Sequence, residues 1–93
     1  MTGEELAELE RLDLWGSAPP WRAMVEGRDH TSGDSFIMAG TKDDRDEDIY
    51  VMRDSGPASS SDLDLIAAAR TYLPRLVAEI RRLREGGPSD TEA

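Results

Sequence analysis

The loop around the single histidine contains the side-chain types that a nucleophilic catalytic site requires. Asp29 and His30 are adjacent, and Ser32 and Ser35 follow closely, so a base and two hydroxyl groups are near one another in the sequence. Hydrolysis also needs an oxyanion site and a nucleophile on a rigid strand–turn–helix elbow, and this segment contains no such pattern. Gly33 and its polar neighbours instead indicate an exposed loop. We therefore predict no catalytic residues and no enzyme activity.

The acidic segment at residues 40–48 contains oxygen ligands of the kind that calcium prefers. Three aspartates alternate there like the first ligands of a calcium-binding loop, but Ile49 replaces the glycine of such a loop and Ser55 replaces its bidentate glutamate. We therefore predict neither a metal site nor a cofactor, and a bound cation is the less favoured alternative. The segment is better interpreted as a solvated hairpin tip or as an acidic surface for a partner. The three aspartates are Asp44, Asp46 and Asp48.

The two tryptophans and the nearby arginines suggest a small-molecule recess as an alternative kind of site. Trp15 and Trp21 are first interpreted as anchors of a core or an interface, because the chain has few other aromatic residues. The alternative is that an indole and two guanidinium groups bind a nucleobase and a phosphate. The residues of this alternative ligand site are Trp21, Arg22, Arg70, Thr71 and Tyr72.

Charge and cysteine content exclude several classes of function. A net charge of -9 argues against direct binding of nucleic acid, because a phosphate backbone needs a basic face. Without cysteine, neither disulfides nor zinc–thiolate sites can form. The N-terminus lacks the pattern of a signal peptide and no segment is long and apolar enough to cross a bilayer, so we expect a cytoplasmic protein that does not bind membranes. We expect one domain at residues 1–85 and a disordered tail at residues 86–93.

The charges are distributed unevenly between the two ends of the chain. Residues 1–14 contain five acidic side chains and one arginine, or -4, whereas residues 70–85 contain five arginines and two glutamates, or +3. The two ends should therefore attract each other, within one molecule or between two. Acidic residues in two stretches form the predicted partner-binding surface. They are Glu4, Glu5 and Glu8 near the N-terminus, and Asp43, Asp44, Asp46, Glu47 and Asp48 in the acidic segment.

Hydrophobic spacing indicates the elements that position these residues. A long helix is predicted at Ser61–Glu85, capped by Ser60 and Ser61, because apolar residues recur there at three-and-four spacing. Pro74 should bend this helix, since proline removes one backbone donor. The predicted buried stripe comprises Leu63, Ile66, Ala67, Leu73, Leu76, Val77, Ile80 and Leu83.

The rest of the chain predicts a second helix and a small sheet. Residues 3–13 follow a capping box that begins at Thr2, and they predict a short helix. Alternating apolar residues predict strands at residues 21–26, 35–39 and 48–52, with a linker after Arg53. The expected fold class is α+β: a short N-terminal helix, a three-stranded antiparallel sheet, and a long C-terminal helix packed on one face of it.

The long helix should extend beyond the sheet that it covers. A helix of about 25 residues spans roughly 37 Å, whereas five-residue strands span roughly 17 Å. The half beyond Pro74 must then be covered by the N-terminal helix or by a second copy, and we favour a homodimer. The predicted dimer interface consists of Leu76, Val77, Ile80 and Leu83.

Short motifs over residues 18–85 resemble the Ead-like group of small phage and prophage proteins. They are Pro20-Trp21-Arg22, the stretch from Asp62 to Thr71, Pro74, and the arginine-rich helix end that follows. Leu65 stands where that group usually has an aromatic residue. The resemblance implies a phage-encoded accessory protein that acts inside the infected cell, and it supplies no catalytic residue.

Three functions fit these features. The favoured one is a non-enzymatic protein that inhibits a host factor, such as a defence nuclease, by placing its acidic surface in a basic nucleic-acid channel. The second is a sponge that sequesters a nucleotide signal at the alternative ligand site. The third is a structural module for homo-oligomerisation.

Overall fold

The computed structural model describes residues 1–41 and 46–85, and over these residues the chain has an α+β fold. Its elements are α1 (Gly3–Trp15), β1 (Arg22–Met24), β2 (Phe36–Met38), β3 (Met52–Arg53), β4 (Gly56–Pro57) and α2 (Ser60–Glu85). Packing divides them into two units, which are treated separately below. The helical unit contains residues 1–16 and the chain from residue 72 on, and the mixed unit contains residues 17–71. The predicted tail at residues 86–93 lies outside the described residues.

Helix α1 begins at a complete capping box, as its sequence predicts. The Thr2 hydroxyl accepts the backbone N–H of Glu5 at 3.0 Å, and the Glu5 carboxylate accepts the backbone N–H of Thr2 at 2.8 Å. The bond from the Thr2 backbone also holds the pKa of the Glu5 carboxyl below its ordinary value. The helix ends at Trp15, two residues beyond its predicted end, and the N–H of Gly16 donates to the carbonyl of Leu12 at 3.0 Å.

The helical unit joins α1 to the C-terminal part of α2 through one apolar and two polar contacts. Leu6 and Val77 are its buried hydrophobic residues among those described. The Arg81 guanidinium donates to both oxygens of the Glu10 carboxylate, at 2.8 and 2.6 Å, and Arg84 donates to the carbonyl of Met1. The predicted attraction between the two ends of the chain is therefore confirmed within one molecule. Val77 is also buried within the single chain, so its burial needs no second copy.

The mixed unit is built on a β-hairpin of β1 and β2. Arg22 pairs with Met38 and Ala23 with Ile37 in antiparallel register. Its core contains residues from the strands, from the loop before α2 and from the first turns of α2. Buried there are Ala23, Ile37, Ala58, Leu63 and Ala67, with Trp21, Val25, Ile49, Val51 and Ile66 packed against them. Leu63 and Ala67 of α2 thus share one core with Ala23 of β1 and Ile37 of β2.

The predicted three-stranded sheet is wrong, because the third stretch pairs with β2 at one residue only. Ile49 and Ile37 exchange backbone hydrogen bonds at 2.8 Å as an isolated bridge. The chain then turns back on itself: the carbonyl of Val51 accepts the N–H of Ala58 at 2.8 Å, and β3 pairs with β4 in a second two-stranded sheet. Local pairing therefore replaces a longer ladder along β2. The predicted linker after Arg53 contains β4.

Helix α2 runs from Ser60 to Glu85 and continues through Pro74. Its first turn is capped by Ser59, whose hydroxyl accepts the N–H of Asp62 at 3.2 Å, one residue before the predicted capping serines. The predicted buried stripe is correct for Leu63, Ala67 and Val77. It is wrong for Leu76 and Leu83, which are exposed on the opposite side of the helix.

Candidate functional site

Three residues of the alternative ligand site come together in the mixed unit, but they bind mainly one another. The Thr71 hydroxyl accepts the N–H of Trp21 and donates to its carbonyl, both at 3.0 Å. The indole N–H of Trp21 and Nε of Arg70 donate to the same carbonyl, that of Ser17, at 3.2 and 3.0 Å. The Arg70 guanidinium lies 6.0 Å from the centre of the Trp21 ring. These groups hold residues 17–21 against α2.

The other two residues of that site lie elsewhere. Arg22 is exposed on β1, and Tyr72 is exposed in the helical unit. The guanidinium of Arg75 lies 5.1 Å from the centre of the Tyr72 ring, in reach of a cation–π contact. The sequence motif therefore joined residues that serve two different parts of the fold.

Replacing Thr71 by valine tests whether the tryptophan network is structural. Valine has a similar shape but no hydroxyl, so the half-buried N–H and carbonyl of Trp21 lose their partner. We expect the free energy of unfolding to fall by about 1–3 kcal/mol in urea titrations. Thr71→Ser keeps the hydroxyl and should lose much less. Equal stability of the valine variant and the native chain would show that the two hydrogen bonds contribute nothing.

The loop around His30 is held by a carboxylate–arginine network. The Asp29 carboxylate accepts the N–H of Val25 at 2.8 Å and Nε of Arg28 at 3.0 Å. Arg28 also donates to both oxygens of Asp64 on α2, each at 3.0 Å. The bond from the Val25 backbone lowers the pKa of Asp29, and the bonds from Arg28 lower the pKa of Asp64.

The histidine itself faces two backbone carbonyls. Its Nδ1 lies 2.8 Å from the carbonyl oxygen of Ser32, and its Nε2 lies 3.3 Å from that of Met24. The Ser35 hydroxyl accepts the N–H of Glu26 at 3.0 Å. A cleft at this loop is lined by Met24, His30, Ser32 and Phe36. Each ring nitrogen therefore lies beside a backbone carbonyl, and in the neutral ring only one of the two can donate to it.

Acid should weaken the Arg28–Asp64 contact. The direction of this pH effect on stability follows from the lowered pKa values of Asp29 and Asp64. A carboxyl whose pKa is lower in the folded chain stabilises the fold above its ordinary value of 3.8, and this contribution is lost as the pH falls from that value through the lower pKa of the folded chain. Stability should therefore decrease between about pH 5 and pH 3. Asp64→Asn removes one such carboxyl, so the decrease in urea-unfolding stability should be smaller in this variant.

The control for this pH experiment is Asp54→Asn. Asp54 is exposed and belongs to no ion pair among the described residues. Hydrogen bonds from arginine also lower the pKa values of Glu10 and Glu79. Both carboxylates remain in the two variants, so they contribute equally to the pH dependence of each. If Asp64→Asn and Asp54→Asn have the same pH profile, the Arg28 contact does not contribute to acid sensitivity.

The predicted acidic surface is only partly available. Asp43 and Asp44 lie outside the described residues, Asp46 and Glu47 are exposed, and Asp48 is half-buried. On α1, Glu5 is used in the capping box, as is shown by its bond to Thr2. Two glutamates remain on the solvent side of the helix and bind no cation among the described residues. They are Glu4 and Glu8.

These glutamates share a helical face with two large apolar side chains that the acidic pattern alone did not include. Positions 4, 8, 12 and 15 fall on one side of an α-helix, and residue 15 lies nine positions from the buried Leu6, half a helical revolution away. Trp15 is 77 % exposed and Leu12 is also exposed. We name Glu4, Glu8, Leu12 and Trp15 the outer α1 face. The four-residue spacing of acidic and apolar side chains could have revealed this face before the structure did.

The predicted dimer residues also divide into buried and exposed side chains. Val77 is buried within the chain and Ile80 is half-buried, whereas Leu76 and Leu83 are exposed. Tyr72, four residues before Leu76, is exposed on the same side of α2. Two arginines lie beside this stripe. We name Tyr72, Leu76 and Leu83, with Arg75 and Arg82, the outer α2 face.

Two further structural observations and the comparisons bear on the class of protein. Within residues 1–41 and 46–85, no group of three or more acidic or histidine side chains is arranged to hold a metal ion. No described helix combines the length and the apolar character that a membrane span needs. Comparisons with protein-family models, curated proteins and solved structures found no match. The structure shows the fold class, α+β. The resemblance to the Ead-like group stays a prediction.

Proposed function

We propose that this chain is a non-enzymatic binding protein that places its outer α1 face on a basic protein and so blocks that protein's access to nucleic acid. One observation carries the proposal: Trp15 is 77 % exposed on the same helical face as two carboxylates that have no cation partner among the described residues. Glu4 and Glu8 are four residues apart, and like charges at this spacing destabilise a helix. Glu4 lies in the first turn of α1, where a carboxylate stabilises the helix, so Glu8 and the exposed Trp15 are the parts of this face that helix stability leaves unexplained.

The two kinds of side chain would contribute differently to binding. Burying a large apolar side chain contributes about 1.5–3 kcal/mol, and tryptophan is enriched among the residues that dominate interfaces. Trp15 and Leu12 therefore supply affinity. Glu4 and Glu8, in a chain of net charge -9, accelerate association with a basic surface and select against acidic partners.

The expected target is a nucleic-acid-binding protein, because such proteins keep a basic channel for phosphates. The Ead-like resemblance adds a context: a phage-encoded protein in the cytoplasm of an infected cell, acting on a host factor such as a defence nuclease. Asp46 and Glu47, both exposed, extend the acidic surface in this proposal. No catalysis and no cofactor are needed, since occupation of the channel is sufficient for inhibition.

Photocrosslinking from the outer α1 face tests the proposal. Arg11, which lies between Glu8 and Leu12, is replaced by the photoreactive p-benzoylphenylalanine, and the full chain is irradiated in bacterial lysate. We expect capture of a basic, nucleic-acid-binding protein. Calorimetry with the purified target should then show that nucleic acid competes with this chain. Glu4→Lys/Glu8→Lys and Trp15→Ser should each weaken the affinity at least about tenfold.

The matched control changes the same net charge elsewhere. Glu26 and Asp54 are exposed and bind no cation among the described residues. Glu26→Lys/Asp54→Lys should leave the affinity almost unchanged, and Asp46→Lys/Glu47→Lys shows whether the acidic segment takes part. A captured protein that binds the Glu4→Lys/Glu8→Lys variant as tightly as the native chain, or that does not bind nucleic acid, would contradict the proposal.

A further inference from the structure

We propose that the outer α2 face is a docking site for a second copy of this chain, which inserts its outer α1 face there. The site is an apolar stripe of Tyr72, Leu76 and Leu83 on the side of α2 away from the buried Val77. Tyr72 is 48 % exposed, Leu76 56 % and Leu83 49 %, so residues 1–16 and 72–85 of the helical unit leave about half of each side chain open to solvent. The occupant is identified by charge: an amphipathic helix with acidic side chains beside large apolar ones.

The structure divides the charges of the helical unit into those used within the chain and those left over. Glu10 and Arg81 bind each other, and Arg84 binds the carbonyl of Met1. Glu4 and Glu8 remain on one helix. On the other helix, Arg75 contacts only the Tyr72 ring among the described residues. The attraction between the two ends of the chain is therefore only partly satisfied within one molecule.

The second arginine of the site is also accessible to a partner. Arg82 binds Glu79, three residues earlier on the same helix, and both side chains are largely exposed. Exposed pairs of this kind contribute little to stability, so a carboxylate from another molecule can replace Glu79 at small cost. The outer α2 face thus presents two guanidinium groups beside three large apolar side chains.

The outer α1 face is complementary to this surface in both respects. It presents Glu4 and Glu8 to the two arginines, and Leu12 and Trp15 to the apolar stripe. Charge complementarity fixes the register of such a contact, and the aromatic and aliphatic side chains supply its buried area. The contact is heterologous, because the two faces lie on different sides of the helical unit.

This inference rests on the proposed function in one respect, because it uses the same outer α1 face. A chain that is paired with its copy cannot present Trp15 to another protein. Self-association and partner binding therefore compete, and dilution or a tightly binding partner releases the monomer. Self-association would then regulate how much of the binding face is available.

Charge reversal on each face, followed by mixing, tests the dimer. Sedimentation equilibrium of the native chain over a concentration series should show dimers. Glu4→Arg/Glu8→Arg and Arg75→Glu/Arg82→Glu should each weaken self-association at least about tenfold, and a one-to-one mixture of the two variants should recover it. Native mass spectrometry should then detect a dimer with one chain of each kind. Glu26→Arg/Asp54→Arg, with the same change in net charge as the first variant, should dimerise like the native chain.

Two further measurements keep the outcomes distinct. Circular dichroism and thermal melting establish that each variant is folded. If a charge-reversed variant is unfolded, the neutral variant at the same positions takes its place, Glu4→Gln/Glu8→Gln or Arg75→Gln/Arg82→Gln. A native chain that stays monomeric at millimolar concentration, or a dimer that persists in both charge-reversed variants, would overturn the inference. The Arg75→Glu/Arg82→Glu variant keeps the outer α1 face, so it should still bind the basic partner. Absence of such a partner would end the proposed function and leave the sedimentation result standing.

Discussion

Replacing Leu63 by alanine is expected to lower the free energy of unfolding by about 2–5 kcal/mol. Leu63 is 0 % exposed and lies in the core of the mixed unit. Three of the five buried residues in that core are alanines, so Leu63 and Ile37 supply most of its apolar volume. The short side chains around the site cannot move far enough to fill the space that a leucine leaves.

The control for Leu63→Ala lies two residues further along the same helix. Leu65 is 67 % exposed, and its replacement by alanine makes the same change in side chain and in helix propensity. Urea unfolding of Leu65→Ala should give a free energy within about 0.5 kcal/mol of the native chain. Similar losses for both variants would mean that the buried face of α2 is not the one described here.

Replacing Leu6 by alanine should have an effect of similar size, about 2–5 kcal/mol, but should act on the helical unit. Leu6 is 0 % exposed and is the buried residue of α1. A helix of 13 residues is too short to persist alone in water, so α1 depends on this contact and on the Glu10–Arg81 bonds. Loss of Leu6 should therefore release α1 before it unfolds the strands.

Hydrogen exchange distinguishes this outcome from a general loss of stability. In Leu6→Ala, amides of α1 should exchange faster, while those of Ile37 and Ile49, which bond each other across the bridge, should keep more of their protection. Leu14→Ala is the control, because Leu14 is 81 % exposed on the same helix. Equal protection of α1 in both variants would show that Leu6 does not anchor this helix.

The sequence was sufficient to predict the helices, because their determinants are local. The capping box at Thr2 and Glu5 and the three-and-four spacing of apolar residues act within a few residues of one another. The strands were predicted less well because pairing joins residues that are distant in the chain. Val51 could continue beside β2 or bind Ala58, and these two pairings compete. The local sequence pattern does not determine which of them forms.

The candidate site was predicted in part. Glu4 and Glu8 could be identified from charge alone, but Trp15 could not, since a tryptophan is compatible with a core as well as with an interface. The alternative ligand site grouped Trp21 with Arg70, and the Arg70 guanidinium does lie near the Trp21 ring. That Arg70 binds the carbonyl of Ser17 rather than a ligand could not be expected, because this contact spans 53 residues of sequence. The Trp21 indole binds the same carbonyl from four residues away.

By itself, the sequence determined the positions of the helices to within two residues at each end, and that the ends of the chain carry opposite charge. Only the tertiary structure decided which side of α2 is buried. Apolar residues occur on both sides of this helix, with Leu63 and Val77 packed inside and Leu76 exposed. Periodicity gives the position of a residue around a helix, but burial depends on which other elements pack against it, and those contacts are long-range.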